Sequence, residues 1–537
     1  MNHIHSSTKE YDAIIVGAGF SGLYQLICLR DQLGLKCVVL ETGDDVGGTW
    51  YWNRYPGARC DTESHAYSYY FSDELLKEWT WSERYPGHEE IREYMNFVAS
   101  KFDLKKDILF KQKVTSAKFI EDSNNWNVKT DNNNFKCKFL ITAVGCLSNT
   151  NIPKIKGLKD FEGSYYHTGN WPKDGVSFVN KTVGQIGTGS TGIQAVPVIA
   201  AEAKHLTVFQ RTANYSIPAR NKPLTEEFKK QVKENFQYYR DLIKRTPNAH
   251  PFEISDRLVS DVNSVEMNNI YEKAWEKGGL QFRAVFNDLV TNLEANNTAS
   301  DFIKNKINKT VLNKKFASIL SDIDHPYAGK RPPIDSNYFE TYNRDNVNLI
   351  DLRRDPIKCI NKNGIETEKN YIDLDIIVFA TGYDAMTGPL LNMNIFGKNN
   401  LKLKNVWKEG PKTFLGLQIP GFPNLFTITG PGSPSVLTNM PMAIEQHVEW
   451  IRDCISFMIK KEYTTIEASS NLAKKWGEEV NRVANKTLLP SVKHSWYLGA
   501  NIPGKPRVFM PYAGGLPRYS KICDDVKKNN FEDFILA

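Results

Sequence analysis

The sequence predicts an α/β fold in which two Rossmann-like dinucleotide-binding domains carry a helical insertion. The main observation is a Gly-x-Gly-x-x-Gly fingerprint that occurs twice, at Gly17–Gly22 and at Gly187–Gly192. Each copy follows an apolar, strand-like run, Tyr11–Val16 or Thr182–Ile186, and opens into helix-like sequence, which is the context that such a fingerprint requires. Two such sites facing one cleft would allow electron transfer between two nucleotide cofactors.

The first fingerprint is followed by the strand Lys36–Leu40, which ends at Glu41. A carboxylate about twenty residues beyond the glycines hydrogen-bonds the ribose 2′-OH of an adenine nucleotide. The first site is therefore predicted to bind an unphosphorylated ribose, as in FAD or NAD. A solvated charge at a strand end is the alternative interpretation of Glu41.

The second fingerprint is followed by the strand His205–Phe209 and then by Arg211, with no acid at the corresponding position. A guanidinium group binds a 2′-phosphate through paired hydrogen bonds. The second site is therefore predicted to bind NADP, again with a solvated charge as the alternative.

The remaining sequence divides around these two sites. Two similar apolar strands, Phe139–Gly145 and Asp375–Tyr383, end at small-residue turns where backbone can approach a cofactor closely. Between them, a polar stretch carries apolar residues at helical spacing, as in Glu226–Lys244, and predicts a helical lid or shell. The predicted domains are an FAD-binding domain (1–147 and 384–537), an NADP-binding domain (148–222 and 330–383) and a helical insertion (223–329).

Composition argues against several classes of function. With 537 residues, 41% of them hydrophobic, the chain is long enough for about two to four domains. The 68 basic and 61 acidic residues give a net charge of +7 without a long basic run, which argues against nucleic acid as a partner. No apolar run is long enough to span a membrane, and Met1–Ser7 lacks a signal-peptide pattern, so we expect a cytoplasmic protein without membrane association.

The eight cysteines and ten histidines form no recognised reactive or metal-binding pattern. No C-x-x-C pair is present, which argues against a flavin enzyme that reduces disulfides, because that chemistry needs a close cysteine pair. Neither H-E-x-x-H nor H-x-x-E-H is present, so we assign no metal.

The segment Gly47–Tyr70 combines many aromatic residues with arginines and an aspartate, directly after the predicted ribose-binding strand. Such side chains can bury a flat ring and meet its polar edge. The position of the segment favours a flavin pocket over an ordinary hydrophobic core.

Several motifs resemble those of Baeyer–Villiger monooxygenases. The stretch Phe161–Pro172 is similar to the family signature F-x-G-x-x-x-H-x-x-x-W-P and lies just before the second fingerprint. Gly47–Asp61 resembles a second family marker, and Asp375–Tyr383 resembles the family's aspartate and A-T-G strand. The resemblance covers essentially the whole chain and is closest to the cyclohexanone and phenylacetone monooxygenase group.

This resemblance implies FAD as prosthetic group, NADPH as hydride donor, and dioxygen and a small-molecule ketone as substrates of a monomeric enzyme. In the family, reduced flavin forms a C4a-peroxide that attacks the ketone, and one carbon migrates to oxygen to give an ester or lactone. Such a protein must keep the peroxide anionic, exclude water and stabilise the oxyanion on the former carbonyl oxygen.

The resemblance also implies the site residues. The catalytic arginine is Arg331, in a Lys-Arg-Pro segment ahead of Asn343–Val347, and Asp61 is the carboxylate that orients it. Arginine suits this role because it stays ionised in a dry pocket. The implied FAD-binding residues are Gly17, Gly19, Gly22, Glu41, Thr49, Trp50, Asp61, Tyr67 and Met440. The implied NADP-binding residues are Arg59, Thr188, Gly189, Ser190, Thr191, Gly192, Gln194, Arg211, Thr212, Lys330, Arg331 and Trp496. We interpret His167 of the signature as a hinge residue rather than an acid or base.

Two other functions remain open from the sequence. An N- or S-oxygenating flavin monooxygenase shares the two-fingerprint architecture, but its signature typically ends without Trp171-Pro172. A non-catalytic NADP-binding redox sensor could use the same fold. The presence of Arg331, Asp61 and both complete fingerprints argues against the sensor.

Overall fold

The computed structural model describes residues 8–537, so Met1–Ser7, on which the signal-peptide argument depends, lies outside the described residues. The strands are β1 (Lys9–Val16), β2 (Cys37–Leu40), β3 (Ile108–Leu109), β4 (Val114–Ile120), β5 (Asn125–Thr130), β6 (Asn134–Thr142), β7 (Ser164–His167), β8 (Thr182–Ile186), β9 (His205–Gln210), β10 (Ile217–Pro218), β11 (Ile334–Asp335), β12 (Val347–Asp351), β13 (Ile357–Asn361), β14 (Gly364–Thr367), β15 (Tyr371–Asp373), β16 (Ile376–Phe379), β17 (Asn394–Phe396), β18 (Leu425–Thr427), β19 (Ile466–Glu467) and β20 (Ile535–Leu536).

The helices are α1 (Phe20–Ile27), α2 (Thr49–Trp52), α3 (Asp73–Glu78), α4 (His88–Lys101), α5 (Ser190–Glu202), α6 (Glu226–Glu234), α7 (Phe236–Arg245), α8 (Ser264–Lys277), α9 (Leu293–Thr310), α10 (Lys314–Ser321), α11 (Tyr338–Thr341), α12 (Gly388–Asn392), α13 (Leu403–Val406), α14 (Met440–Lys460), α15 (Ser470–Ala484) and α16 (Leu516–Lys528). Across residues 8–537, none of them combines the length and apolar character needed to cross a membrane.

The larger sheet takes strands from both ends of the chain, in the order β17-β4-β5-β6-β1-β2-β3, with β18 also paired to β6. Strand β1 runs parallel to β2 and β6, whereas β4, β5 and β6 form an antiparallel meander. Ala13 and Ile15 of β1 face a core shared with α1 and α14, and Ile14 faces a second core shared with β4 and β5. Both faces of this strand are covered, which explains its continuous apolar sequence.

The second sheet is entirely parallel, in the order β12-β9-β8-β16-β7. Its strands also alternate between two cores: Val378 of β16 packs on one face, and Ile377 and Phe379 pack on the other. Strand β16 is the apolar run predicted within Asp375–Tyr383, and it lies between β8 and β7. The mixed larger sheet with its parallel β6-β1-β2 core, the all-parallel second sheet and their flanking helices confirm the predicted fold class.

The two fingerprints adopt matching turns between strand and helix. Gly17 has φ +106° and Gly187 has φ +110°, which favour glycine. A Cβ on Gly22 would lie 1.8 Å from the Gly17 carbonyl oxygen, and a Cβ on Gly192 would lie 2.3 Å from the Gly187 carbonyl oxygen. The third glycine of each fingerprint therefore lets its helix pack directly against the turn.

The insertion between the sheet strands is helical, as predicted, and comprises α6 to α10. The segment Glu226–Lys244, which has helical spacing, forms two helices, because Asn235, with a φ of −122° and a ψ of 27°, separates α6 from α7. The Asn235 side chain donates a hydrogen bond to the Gln231 carbonyl oxygen (2.8 Å), a local competition with helical bonding that asparagine favours.

Candidate active site

Around the first fingerprint, Glu41 is tied to two backbone turns. It is only 5% exposed, and its carboxylate accepts hydrogen bonds from the backbone N–H groups of Ala18 (2.7 Å) and Gly43 (2.6 Å). Burial raises the pKa of Glu41, and these hydrogen bonds oppose the rise. The carboxylate oxygens have further lone pairs, which can accept a hydrogen bond from a ribose hydroxyl group.

The aromatic segment after the first fingerprint packs against the fingerprint loop. A Cβ on Gly48 would lie 2.8 Å from the Gly19 Cα atom, so the start of α2, with the exposed Thr49, adjoins the start of α1. The Trp50 indole donates to the Tyr67 hydroxyl (3.1 Å), and both side chains are buried. The buried Trp50–Tyr67 contact agrees with the core interpretation, and the flavin pocket stays a prediction.

Around the second fingerprint, the start of α5 is open. Gly189 is the N-cap residue, no side chain caps the helix, and a Cβ on Gly189 would meet no described heavy atom within 4 Å. The Thr188 hydroxyl donates to the Thr212 carbonyl oxygen (3.1 Å), which brings the fingerprint next to the loop after β9. The free backbone N–H groups at this helix start suit a phosphate anion.

Two cations lie beside this opening. Arg211 is exposed and has no acidic partner within 4.0 Å among residues 8–537. Burial lowers the pKa of Lys330, Asp324 opposes the change, and the Arg211 charge lowers the pKa further. Because two positive charges share this space, the arrangement suits the predicted 2′-phosphate.

The loop after α2 crosses to the second fingerprint helix. The Tyr55 hydroxyl donates to Gln194 Oε1 (2.6 Å), and Gln194 Nε2 donates to the Arg59 carbonyl oxygen (3.1 Å). Gly57, at φ +79°, approaches so closely that a Cβ there would lie 2.4 Å from the Gln194 carbonyl oxygen. The side chain of Gln194, assigned to NADP by resemblance, thus joins the helix of the second fingerprint to the loop after α2.

The same loop provides Asp61, which forms a bidentate ion pair with Arg331. Arg331 Nε and Nη2 donate to the two carboxylate oxygens, both at 2.6 Å, and Nη1 donates to the Val436 carbonyl oxygen (2.9 Å). The side chains are 26% and 17% exposed for Arg331 and Asp61. Burial raises the pKa of Asp61, but the Arg331 charge and hydrogen bonds more than offset it, so the pKa falls below its usual range.

Arg331 stays charged in this position. Burial alone lowers its pKa, but the opposing effect of Asp61 is larger and raises the pKa overall. Tyr497 lies beside it, and burial raises the pKa of this tyrosine to about 12 while the Arg331 charge opposes the rise. Trp496 is half-buried, and its ring centroid lies 4.5 Å from the ring centroid of Tyr497. Met440 lies four residues after Val436 and is the first residue of α14.

Known proteins resemble the chain over nearly its full length. It matches the family described as "Flavin-binding monooxygenase-like" over residues 11–236. It is 42% identical to cyclohexanone 1,2-monooxygenase of Acinetobacter sp., over 98% of this chain and 97% of that protein. It is also 42% identical to a Baeyer–Villiger monooxygenase of Pseudooceanicola batsensis, over 98% and 96% of the two chains. The chain belongs to the Baeyer–Villiger monooxygenase family.

Two further comparisons bear on fold and chemistry within this family. The crystal structure of OTEMO in complex with FAD and NADP is 39% identical, with a TM-score of 0.95 over 99% of this chain and 100% of that chain. Phenazine N-monooxygenase PhzNO1 of Lysobacter antibioticus is 39% identical over 99% of this chain and 98% of that protein. The resemblance of the sequence to Baeyer–Villiger monooxygenases is thus confirmed, and one protein similar to this chain is named for N-oxygenation.

The Baeyer–Villiger signature lies at an edge of the second sheet, next to the first site. His167 ends β7, its Nδ1 accepts from the Gly169 N–H (3.0 Å), and its ring lies 5.9 Å from the Tyr383 ring. Tyr383 in turn donates to Asn53 of the loop after α2. Burial lowers the pKa of His167 to about 4, so the imidazole is neutral near neutral pH. These contacts suit a domain-coupling role.

The insertion places polar residues near Arg331 that no sequence motif identifies. His250 is 5% exposed, and burial together with the charges of Arg283 and Arg331 lowers its pKa to about 3, with Asp61 opposing. Asn248 donates to the Leu437 carbonyl oxygen (2.6 Å), one residue after the carbonyl that Arg331 contacts. The sequence feature that could have pointed to this region is Arg283, the one charged residue in the largely apolar run Leu280–Phe286.

Proposed function

We propose that this chain is an NADPH- and dioxygen-dependent FAD monooxygenase that inserts one oxygen atom beside a ketone carbonyl to give an ester or lactone. The observation that carries the proposal is the Asp61–Arg331 ion pair, which lies where the loops of the two nucleotide sites meet. Membership of the Baeyer–Villiger monooxygenase family supports it.

The residues around both fingerprints fit the two cofactors. FAD would be held at the first site by the α1 turn, Glu41 and the start of α2, and NADPH at the second site by the open α5 start with Arg211 and Lys330. We propose the same division for the domains, with the larger sheet as the core of the FAD domain and the all-parallel sheet as the core of the NADP domain. Bound FAD would supply hydride acceptance from NADPH and reaction with dioxygen.

In this proposal, Arg331 stabilises the negative charge that develops on the substrate carbonyl oxygen. A guanidinium fixed in advance does this without reorganising when the charge appears. Asp61 is the positioning residue, because its two hydrogen bonds hold the guanidinium plane in one orientation. The neutral His250 beside the pair adds no competing charge.

N-oxygenation is the second candidate, favoured by the 39% identity to a phenazine N-monooxygenase. Retention of Trp171-Pro172 in the signature supports ketone oxygenation instead, and Trp171 is buried against Tyr166 and Phe178. If the chain catalyses N- or S-oxygenation, its substrate is a small-molecule amine or thioether instead of a ketone.

The test is aerobic NADPH oxidation by the FAD-loaded protein with cyclic, aryl and linear ketones, a thioether and a tertiary amine. Mass spectrometry under isotopically labelled dioxygen identifies the products. Esters or lactones carrying one labelled oxygen atom are expected. Sulfoxide or N-oxide without any ester would support the second candidate, and hydrogen peroxide as the sole product would contradict both.

A further inference from the structure

Arg283 is a second arginine near the active site, and it lacks the acidic partner that Arg331 has. It lies in the short 3-10 helix Leu280–Ala284 of the insertion, between the buried side chains of Phe282 and Ala284, and is itself half-buried. Its Nη2 group donates to the Asn248 side-chain oxygen. Among residues 8–537, no carboxylate lies within 4.0 Å of its guanidinium.

Hydrogen bonds connect both guanidinium groups to the same loop, directly for Arg331 and through Asn248 for Arg283. Asn248, which accepts from Arg283, donates to the Leu437 carbonyl oxygen (2.6 Å), and the Asn439 N–H donates to the Asn248 carbonyl oxygen (2.8 Å). Arg331 donates to the Val436 carbonyl oxygen (2.9 Å). Arg283 is therefore linked through Asn248 to the Leu437 carbonyl group, which is next in sequence to the Val436 carbonyl group that Arg331 contacts.

The electrostatics of the two arginines differ accordingly. Asp61 compensates Arg331 and raises its pKa, whereas burial lowers the pKa of Arg283, Tyr327 and Tyr497 oppose this, and the Arg331 charge lowers it further. A half-buried charge without a counterion is partly desolvated, which is unfavourable, so such a group normally has a partner. Among residues 8–537, Asn248 is the only hydrogen-bond acceptor of the Arg283 side chain, so its other N–H groups are available to a ligand.

A guanidinium with free N–H groups is the side chain that best binds a carboxylate, because its planar fork matches the two oxygens. We propose that Arg283 binds a carboxylate of the substrate, so that the preferred substrates are ketones that carry a carboxylate group. This inference rests on the proposed ketone oxygenation. Arg331 would face the carbonyl group and Arg283 the carboxylate, which fixes the orientation of the ketone between them.

The experiment compares 3-oxocyclohexanecarboxylate with 3-oxocyclohexanecarboxamide, which has nearly the same shape but no charge. Dissociation constants come from quenching of intrinsic tryptophan fluorescence in the FAD-loaded protein with NADP⁺, and kcat/KM comes from lactone formation. We expect the carboxylate to be preferred about tenfold or more in both measurements, in line with a charge-assisted hydrogen bond. Arg283→Met should abolish this preference, and Arg283→Lys should retain part of it.

Arg257→Met is the matched control, because Arg257 is an exposed arginine of the same insertion that pairs with Glu266. It should keep the wild-type preference. Should Arg283→Met fail to fold, the wild-type comparison and Arg283→Lys still decide the question.

The outcomes separate the two proposals. Equal binding of carboxylate and amide by the wild type overturns the carboxylate site, even if both yield lactones and ketone oxygenation stands. Preferential carboxylate binding without lactone from either compound supports the site and contradicts ketone oxygenation. A raised KM for NADPH in Arg283→Met, with an unchanged carboxylate preference, would assign Arg283 to the nucleotide and overturn the proposal.

Discussion

The two fingerprint sites share one turn geometry but differ in how far the protein closes over them. At the first, all eight residues of α1 are buried and Glu41 is held by two backbone N–H groups. At the second, Gly189 and Arg211 are exposed and the first residues of α5 are half-buried. The comparison shows that one backbone motif can form either a closed or an open site, depending on what surrounds it.

This difference agrees with the proposed roles of the two nucleotides. A closed site with a buried acid suits FAD, which remains bound through many turnovers. An open helix start with exposed cations suits NADPH, which must enter and leave. Substitutions at the two sites test this contrast, and the Asp61–Arg331 ion pair between them has the largest expected effect.

Arg331→Ala should have the largest effect, because it removes the group proposed to stabilise charge on the substrate. We expect ester formation to fall at least about a hundredfold, as for loss of one donor in an oxyanion hole. Anaerobic reduction of bound flavin by NADPH should persist and can be followed by stopped-flow absorbance. Arg344→Ala, at an exposed arginine nearby in sequence, serves as control. An undiminished rate of ester formation would remove Arg331 from the proposed mechanism.

Glu41→Ala should weaken FAD binding at the closed site. The change removes the proposed ribose acceptor and leaves the Ala18 and Gly43 N–H groups without their partner. We expect the affinity for FAD to fall roughly ten- to a hundredfold, measured as flavin retained per chain after purification and dialysis. Thr42→Ala, at the exposed neighbouring residue, should retain FAD. Equal flavin contents in the two variants would show that Glu41 does not bind the ribose.

Arg211→Ala should affect the open site alone. The KM for NADPH should rise roughly ten- to a hundredfold through loss of a charge-assisted hydrogen bond to the 2′-phosphate. The KM for NADH, which lacks this phosphate, should change little. Lys204→Ala removes a cation at the opposite end of β9 and should leave both constants as they are. Equal increases for both nucleotides would place 2′-phosphate recognition elsewhere.

Glu445→Gln tests whether the buried carboxyl group of Glu445, behind the closed site, is protonated in the folded protein. Glu445 is 4% exposed and accepts from the Tyr70 and Phe71 N–H groups, and burial raises its pKa to about 8. The folded state then keeps this proton up to about pH 8, whereas the unfolded chain releases it above its ordinary pKa of 4.5. The free energy of unfolding therefore falls as pH rises through this window.

Because glutamine stays neutral, the Tm of Glu445→Gln should fall less than that of the wild type between about pH 5 and pH 8. Thermal unfolding monitored by circular dichroism at several pH values measures this. Glu478→Gln, at an exposed glutamate, should follow the wild-type profile. Parallel profiles for wild type and Glu445→Gln would show that Glu445 is ionised in the folded protein.

Gly189→Ala should have the smallest effect. A Cβ there meets no described atom within 4 Å, so the protein should fold normally, whereas Gly22→Ala would place a Cβ 1.8 Å from a backbone oxygen and disrupt the closed site. The added methyl group would crowd the pyrophosphate, which both nicotinamide nucleotides share. We expect a few-fold rise in KM for NADPH and NADH alike. A change confined to NADPH would contradict this placement of the pyrophosphate.

The sequence predicts the sheet strands and helices around both fingerprints well, because glycine geometry and apolar runs are local signals. Strand β8 matches its predicted limits, and β1 and β9 differ from theirs by two residues or fewer. The break at Asn235 was missed because helical periodicity continues through it, and the side-chain hydrogen bond from Asn235 to Gln231 leaves no mark on that periodicity.

The candidate site was predictable only where motifs name its residues. Asp61 and Arg331 follow from the family resemblance, and the structure places them in direct contact. Arg283 and Asn248 belong to no such motif, and they reach the site through packing of the insertion against the loop that contains Val436 and Leu437. Proximity of this kind depends on long-range packing, which residue spacing does not encode.

The Asp61–Arg331 pair also constrains the order of biosynthesis, since its partners are 270 residues apart. At about 5–20 residues per second, the ribosome needs tens of seconds to make the intervening chain. During that time Arg331 has not been synthesised, so the Asp61 carboxylate lacks its partner and is most stable when hydrated. The Asp61–Arg331 ion pair can therefore form only after the insertion and the Lys330-Arg331 segment have been synthesised.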